Sequence, residues 1–249
     1  MTLSSQGDLA GLRRAGAVVA ATLQAMEAAA RPGVRTHELD EIAERILRRH
    51  GARSAPQLAY DFPATTCISV NDEVVHGIPG ERILQPRDVV KLDVTAELDG
   101  YIADAAVTVL MPPAQPVARR LRKCVRRAFE RAFAVIKPGF PLAELGRTIE
   151  DEVRRWDCSV MRELRGHGVG RAIHEPPSIP NYYSRLTEGT LHEGLVIALE
   201  PIVSETPARV VEEADGWTLR THNRTLAAHY EHTIVITAQG AEVVTARAA

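Results

Sequence analysis

Two Pro-Gly corners constrain this chain more than any other feature. Arg31-Pro32-Gly33-Val34 follows an amphipathic stretch over 9–30 and precedes a second helical run over 36–50. Lys137-Pro138-Gly139-Phe140, 106 positions later, follows 117–135 and precedes 142–156. Proline removes the amide proton that a helix interior needs, and glycine permits the backbone of a tight corner, so each block reads as a pair of helices. After each block the pattern changes to β-type runs. The economical reading is an α+β chain with two similar halves, about 1-112 and 113-249, each two helices followed by sheet and related by a pseudo-twofold axis. Two amphipathic helix pairs can also resemble one another by chance, and the pattern alone leaves that open.

Nothing divides the halves into separate domains. No Ser/Gly linker or low-complexity block interrupts the sequence, and 249 residues fit a single domain spanning 1-249. With 45% apolar and 25% charged residues the chain has globular composition, which excludes disorder and collagen-like repeats. Thirty basic against 32 acidic residues leave a net charge of -2, so no global field favours nucleic acid or an anionic membrane. No apolar run reaches the roughly 18 residues of a membrane span, and MTLSSQGDLA lacks the regions of a signal peptide, so a cytoplasmic protein is expected. Cys67, Cys124 and Cys158 are too few and too scattered for a disulfide framework or a cysteine-based zinc site. Any chemistry has to be local.

The first local concentration lies in the run Asp88 to Glu97, then Leu98-Asp99-Gly100-Tyr101, then Ile102 to Leu110. Asp-Gly between two β-type runs signals a two-residue hairpin. Such a turn pairs positions whose numbers sum to 199, placing Asp104 opposite Thr95 and Asp93 opposite Ala106. Asp93, Thr95 and Asp104 then share one face, with the two aspartates diagonal neighbours about 7 to 8 Å apart. Like charges so close destabilise a sheet unless a cation lies between them. A solvated face carrying two exposed aspartates is the alternative, and the hairpin by itself does not choose.

Further candidates lie downstream. His167 stands among three glycines in Gly166-His167-Gly168-Val169-Gly170, and His174 follows in Ile173-His174-Glu175-Pro176-Pro177. Glu200 ends the apolar run Gly194-LVIAL-Glu200-Pro201, and Glu231 opens another, Tyr230-Glu231-His232-Thr233-Ile234-Val235-Ile236. A carboxylate at the end of a buried strand is costly unless it is paired or binds a metal. His76 enters a turn after Val74-Val75. Taken one at a time, each of these also reads as a structural histidine or a salt-bridged strand end.

Six ordered segments, CISVNDEVVHGIPG, VVKLDVTAELDGYIAD, GHGVGRAIHEPP, GLVIALEP, DGWTLRT and YEHTIVIT, resemble the type I methionine aminopeptidases over nearly the whole chain. The resemblance implies the pita-bread fold, two pseudo-symmetric ααβ halves with a curved antiparallel sheet covered by helices. It also implies an enzyme that removes the N-terminal methionine from nascent proteins and peptides when the second residue is small. The implied metal set is Asp93, Asp104, His167, Glu200 and Glu231, holding two divalent ions drawn from cobalt, manganese, iron or zinc. Asp104 and Glu231 would bridge, Asp93 would chelate one ion, and His167 with Glu200 would complete the other. Two such ions can share a water and lower its pKa, so the expected nucleophile is hydroxide, with Glu200 carrying the proton. His76 and His174 match substrate-contacting histidines, with His174 at the developing oxyanion.

The side-chain pocket is where the resemblance loosens. Phe62, Cys67 and Trp217 match positions that accept an unbranched thioether, although core packing is an equal reading for Cys67. The usual run before Pro63 has a tyrosine and a glycine where this chain has Ala59 and Asp61, and a frequent His-Gly is here Ile102-Ala103. These departures make a specialised aminopeptidase with a dedicated peptide the main alternative. A metal-free binding protein of the same fold would lack ligands, and all five are present. The implied partner is an N-terminal peptide or nascent chain near the ribosome, met by a monomer, with no nucleic acid and no membrane.

Overall fold

Ser5 opens the first helix: its side chain accepts from Asp8 N while the Asp8 carboxylate accepts from the Ser5 amide, a reciprocal cap. This helix, α1, spans Gln6–Ala29, and α2 spans Thr36–Arg49 after the first Pro-Gly corner. In the second half α4 spans Pro116–Val135, with proline at its start, and α5 spans Leu142–Arg155 after the second corner. Between the pairs lie β1 (Arg53–Ser54), α3 (Ala55–Tyr60), β2 (Cys67–Val70), β3 (Glu73–Val75), β4 (Val89–Leu98) and β5 (Tyr101–Leu110). After α5 come β6 (Ser159–Val160), β7 (Gly166–Gly168), β8 (Glu175–Ile179), β9 (Val196–Leu199), β10 (Ile202–Ser204), β11 (Val210–Glu212), β12 (Leu219–Thr221), β13 (Ala227–His229), β14 (Glu231–Thr237) and β15 (Gly240–Val243). The structure is a computed structural model that describes residues 1–247; positions 248 and 249 of the expected second half lie outside the described residues.

The duplication extends into the hydrogen bonding of the corners. Gly33 and Gly139 both take the left-handed backbone, at φ 95 and 82. Gly33 N donates to Leu84 O at 2.8 Å, and Leu84 N returns to Val34 O at 2.8 Å. In the other half Gly139 N donates to Leu191 O at 2.7 Å, and Leu191 N returns to Phe140 O at 2.9 Å. Chance resemblance of two helix pairs would not reproduce this tie to a distant strand-like segment.

A nine-stranded antiparallel sheet joins the halves in the order β1-β4-β5-β14-β9-β7-β8, with β2 also on β4 and β15 also on β14. Alternate side chains of each strand face the helices. Leu92, Val94, Ala103 and Ala105 pack with Leu23, Met26 and Leu39 beneath α1 and α2. Ile197, Leu199, Ile234 and Ile236 pack with Leu121, Phe129 and Ile149 beneath α4 and α5. The intervening positions, Asp93 and Thr95 among them, therefore point to the opposite face. Asp99 and Gly100 take φ of 52 and 80, the doubly left-handed turn of a tight hairpin, and Asp93↔Ala106 and Thr95↔Asp104 pair as the turn requires. All three cysteines are free and buried, and no helix among the described residues is long and apolar enough to cross a membrane.

The glycines around His167 permit contact between backbones. A Cβ at Gly166 would stand 2.4 Å from Ala198 O, and one at Gly168 would stand 2.3 Å from Pro176 O. Neither obstacle is a side chain that could turn away. Gly168→Ala is therefore expected to destabilise the fold by about 3 kcal/mol through forced strand separation, checked by denaturant unfolding; an unchanged midpoint would show that β7 can shift without cost.

Candidate metal centre

The register carries the acidic residues into one place. Cys67 on β2 pairs with Asp93, Asp93 with Ala106, and Ala106 with Glu231 on β14, forming a row across three strand boundaries. Asp104 stands in the adjacent row, opposite Thr95. The backbone pairing between β5 and β14 stops short of Asp104, and a threonine hydroxyl takes its place: Thr233 Oγ1 accepts from Asp104 N at 2.8 Å and donates to Asp104 O at 2.8 Å. Both backbone groups of a buried aspartate are thereby satisfied without use of its carboxylate.

His167 arrives from β7, paired with Ala198 of β9. Its Nδ1 lies 2.9 Å from Gly168 O, and since a carbonyl only accepts, Nδ1 carries the hydrogen and Nε2 presents its lone pair. That Nε2 is 3.3 Å from Glu200 Oε1. Glu200 follows β9 immediately, where Pro201 ends the pairing, and its carbonyl accepts from the buried Asn181 side chain at 3.0 Å. Asp104, His167 and Glu231 each offer a donor atom within 4.8 Å of the others, and so do Asp93, His229 and Glu231. Glu231 belongs to both sets.

The electrostatics call for cations. Burial pushes Asp104 up to about 6, and burial followed by the neighbouring carboxylates holds Asp93, Glu200 and Glu231 well above the usual range. Burial, then His174, lowers His167 to about 4, so it is a neutral imidazole. Asp104 Oδ1 and Glu231 Oε1 are buried with no hydrogen-bond partner among the described residues. Orphaned carboxylate oxygens beside a neutral imidazole form a donor set that fits divalent metal ions.

A cavity of about 560 Å3 opens onto this cluster. One wall is apolar: the Phe62 and Trp217 rings meet edge to face with centroids 5.1 Å apart, beside Cys67 and Ile78. Asp215 sets the tryptophan, accepting from Trp217 N and Thr218 N at 2.8 Å each. His76 lines the same cavity from a left-handed backbone at φ 58, and His174 stands exposed at its mouth with its ring 4.4 Å from that of His167. All ten residues singled out in the sequence thus surround one cleft.

The loop departures lie elsewhere. Asp61 adopts φ 56 and ψ 34, the conformation a glycine would take, and neither Ala59 nor Asp61 lines the cavity. Ile102 packs with Leu12 and Val169, and Ala103 faces the first helix pair. Two residues that the sequence reading passed over do line it. Tyr60 OH lies 2.7 Å from His174 Nδ1, and His229 stands among the carboxylates. His229 and Glu231 are two positions apart in a strand-like run, and that alternation is the signal that would have found His229. Nothing local marked Tyr60, because its partner is 114 residues away.

The sequence profile of metallopeptidase family M24 matches residues 10–238. Methionine aminopeptidase 2 of Bacillus subtilis is 40% identical over 239 residues, which cover 95% of this chain and 96% of the relative. The crystal structure of methionine aminopeptidase from Thermotoga maritima superimposes with a TM-score of 0.95 at 35% identity, covering 98% of this chain and 99% of the other. Prolidase from Pyrococcus furiosus, at 23% identity and a TM-score of 0.80, shares the fold, with this chain covering 66% of its length. The architecture is the pita-bread fold, a curved antiparallel sheet backed by helices.

Asp104, pushed up to about 6, and its neighbours, held well above the usual carboxylate range, must release their protons to bind a cation, so metal affinity rises with pH. Calorimetric titration of metal-free protein with Co2+ is expected to show at least about tenfold tighter binding at pH 7.5 than at 5.5, with protons released to the buffer. Binding independent of pH over that range would contradict this protonation pattern.

Proposed function

The chain belongs to metallopeptidase family M24, and on that premise we propose that it is a metal-dependent methionine aminopeptidase, removing the N-terminal methionine of peptides whose second residue is small. The single observation that carries the reading is Glu231 shared between two donor sets at the end of a cavity with an aromatic and sulfur-bearing wall. Near-full-length similarity to methionine aminopeptidases supports it. Asp93, Asp104, His167, Glu200 and Glu231 hold two divalent ions. When bound, such ions supply Lewis acidity toward a carbonyl oxygen and toward water.

The chain's own groups do the rest. Glu200, raised by burial, accepts the proton of the attacking water and returns it to the departing amine. His174, held through Nδ1 by Tyr60, turns Nε2 toward the substrate, where an N–H stabilises the developing oxyanion. His76, on its constrained turn, contacts the scissile amide or the residue beyond it. Phe62, Cys67 and Trp217 receive the methionine side chain, whose unbranched thioether packs against polarizable surfaces. Because Ala59, Asp61, Ile102 and Ala103 lie off the cavity, the departures that favoured a specialised substrate leave this pocket untouched. The chain works as one cytoplasmic catalytic domain, a monomer that meets nascent chains near the ribosome and binds no nucleic acid or membrane.

Metal-loaded protein assayed on Met-Ala, Met-Lys, Leu-Ala and Ala-Pro peptides is expected to cleave Met-Ala alone. Release of leucine, or cleavage before proline, at a comparable rate would overturn the assignment. A second experiment separates the roles. Glu231→Gln or Asp104→Asn should abolish most metal binding and activity together, whereas His174→Ala should keep its metal and lose about 100-fold or more in kcat. Loss of metal from His174→Ala, measured by elemental analysis, would show the division to be wrong.

A further inference from the structure

His229 ends β13, two residues before Glu231, and the aminopeptidase reading gives it no role. Its side chain is 2% exposed, and its Nε2 lies 3.5 Å from Glu200 Oε2 and 3.4 Å from Glu231 Oε2. These contacts are not hydrogen bonds: both ring nitrogens are buried without a partner among the described residues. Nor is the position loose. Thr108 Oγ1 accepts from His229 N at 3.0 Å and donates to His229 O at 2.7 Å, and β13 pairs Ile202 opposite His229. The same hydroxyl device that fixes Asp104 through Thr233 fixes His229 through Thr108.

An imidazole pinned in this way, facing carboxylates without bonding to them, leaves buried polar atoms unsatisfied, a cost of about 1–3 kcal/mol each. A cation between the ring and the carboxylates removes that cost. Two ligands each about 2.1 Å from one ion stand about 3.4 Å apart at a tetrahedral angle, the separation seen from His229 Nε2 to Glu231 Oε2, and Asp93, His229 and Glu231 offer donor atoms that all lie within 4.8 Å of one another. His167 Nε2 and Glu200 Oε1, which are read as ligands, are separated by a similar 3.3 Å.

We propose that His229 is a sixth metal-binding side chain, placing an imidazole on the ion held by Asp93 and Glu231, as His167 does on the ion held by Asp104 and Glu231. Each ion then has one nitrogen donor. Imidazole suits iron, cobalt, nickel and zinc, whereas an all-oxygen set suits manganese and magnesium, so His229 tilts the Asp93 position toward the former group. The inference rests on the metal-centre reading and adds a residue and a selectivity to it.

The test uses the full chain, stripped of metal and reloaded. X-ray absorption of the protein carrying two Co2+ is expected to show two imidazoles per pair of ions in the wild type and in His174→Ala, and one in His229→Gln. Calorimetry should show weaker Co2+ binding at one of the two positions in His229→Gln, by about 10- to 100-fold, with a smaller change for Mn2+. Equal imidazole counts and equal Co2+ affinities in His229→Gln and wild type overturn the proposal. Should that variant fail to fold, a single imidazole per pair in the wild type overturns it equally. Failure of the wild type to bind either Co2+ or Mn2+ instead sinks the metal-centre reading beneath it.

Discussion

Four carboxylates on one face of a buried sheet repel one another, and the rest of the structure is arranged around that repulsion. Asp93, Asp104, Glu200 and Glu231 come from four separate strands or strand ends; Asp104, Glu200 and Glu231 are buried and Asp93 is half-buried. In the protein alone the strain appears as raised carboxyl pKa values, with burial pushing Asp104 up to about 6 and holding Asp93, Glu200 and Glu231 well above the usual carboxylate range. Two divalent cations would match four negative charges in a small volume. Metal dependence therefore follows from the electrostatics of the fold as well as from family membership.

Holding such a cluster together requires rigid backing, and the duplicated architecture supplies it. Each helix pair covers the apolar side of its half of the sheet, so the side chains of alternate residues are committed to the core and the intervening ones to the cleft. Where ordinary strand pairing would fail near the acidic residues, threonine hydroxyls replace it: Thr233 against Asp104 and Thr108 against His229, each bonded to both backbone groups of its partner. These clasps satisfy the backbone without occupying the side chains that face the cavity. Glycine does the complementary work beside His167, where any Cβ would collide with a carbonyl oxygen of the neighbouring strand.

Much of this was legible in one dimension. The Pro-Gly corners marked both helix pairs, and the Asp99-Gly100 turn set the register that brings Asp93, Thr95 and Asp104 to one face. Of the two readings the residues alone left open at the hairpin, burial argues against the solvated face: Asp104 and Thr95 are enclosed, and the cavity opens onto them. The positions that deviated from the family pattern looked more consequential in sequence than in space, since Asp61 reproduces the backbone of a glycine and Ile102 turns into the core.

The sequence by itself determined the helix pairs and the hairpin register, because these depend on local backbone preference and on an alternation with a period of two; Glu200 and Glu231 joined the two hairpin aspartates only through the family resemblance. Only the tertiary structure decided which candidate donors stand together. Glu231 reaches Asp104 and Asp93 because β14 pairs with β5 across more than 120 residues of intervening chain, and no local pattern encodes that pairing. For the same reason Tyr60 on His174 and His229 among the carboxylates came into view only in three dimensions: their partners are set by strand order and packing.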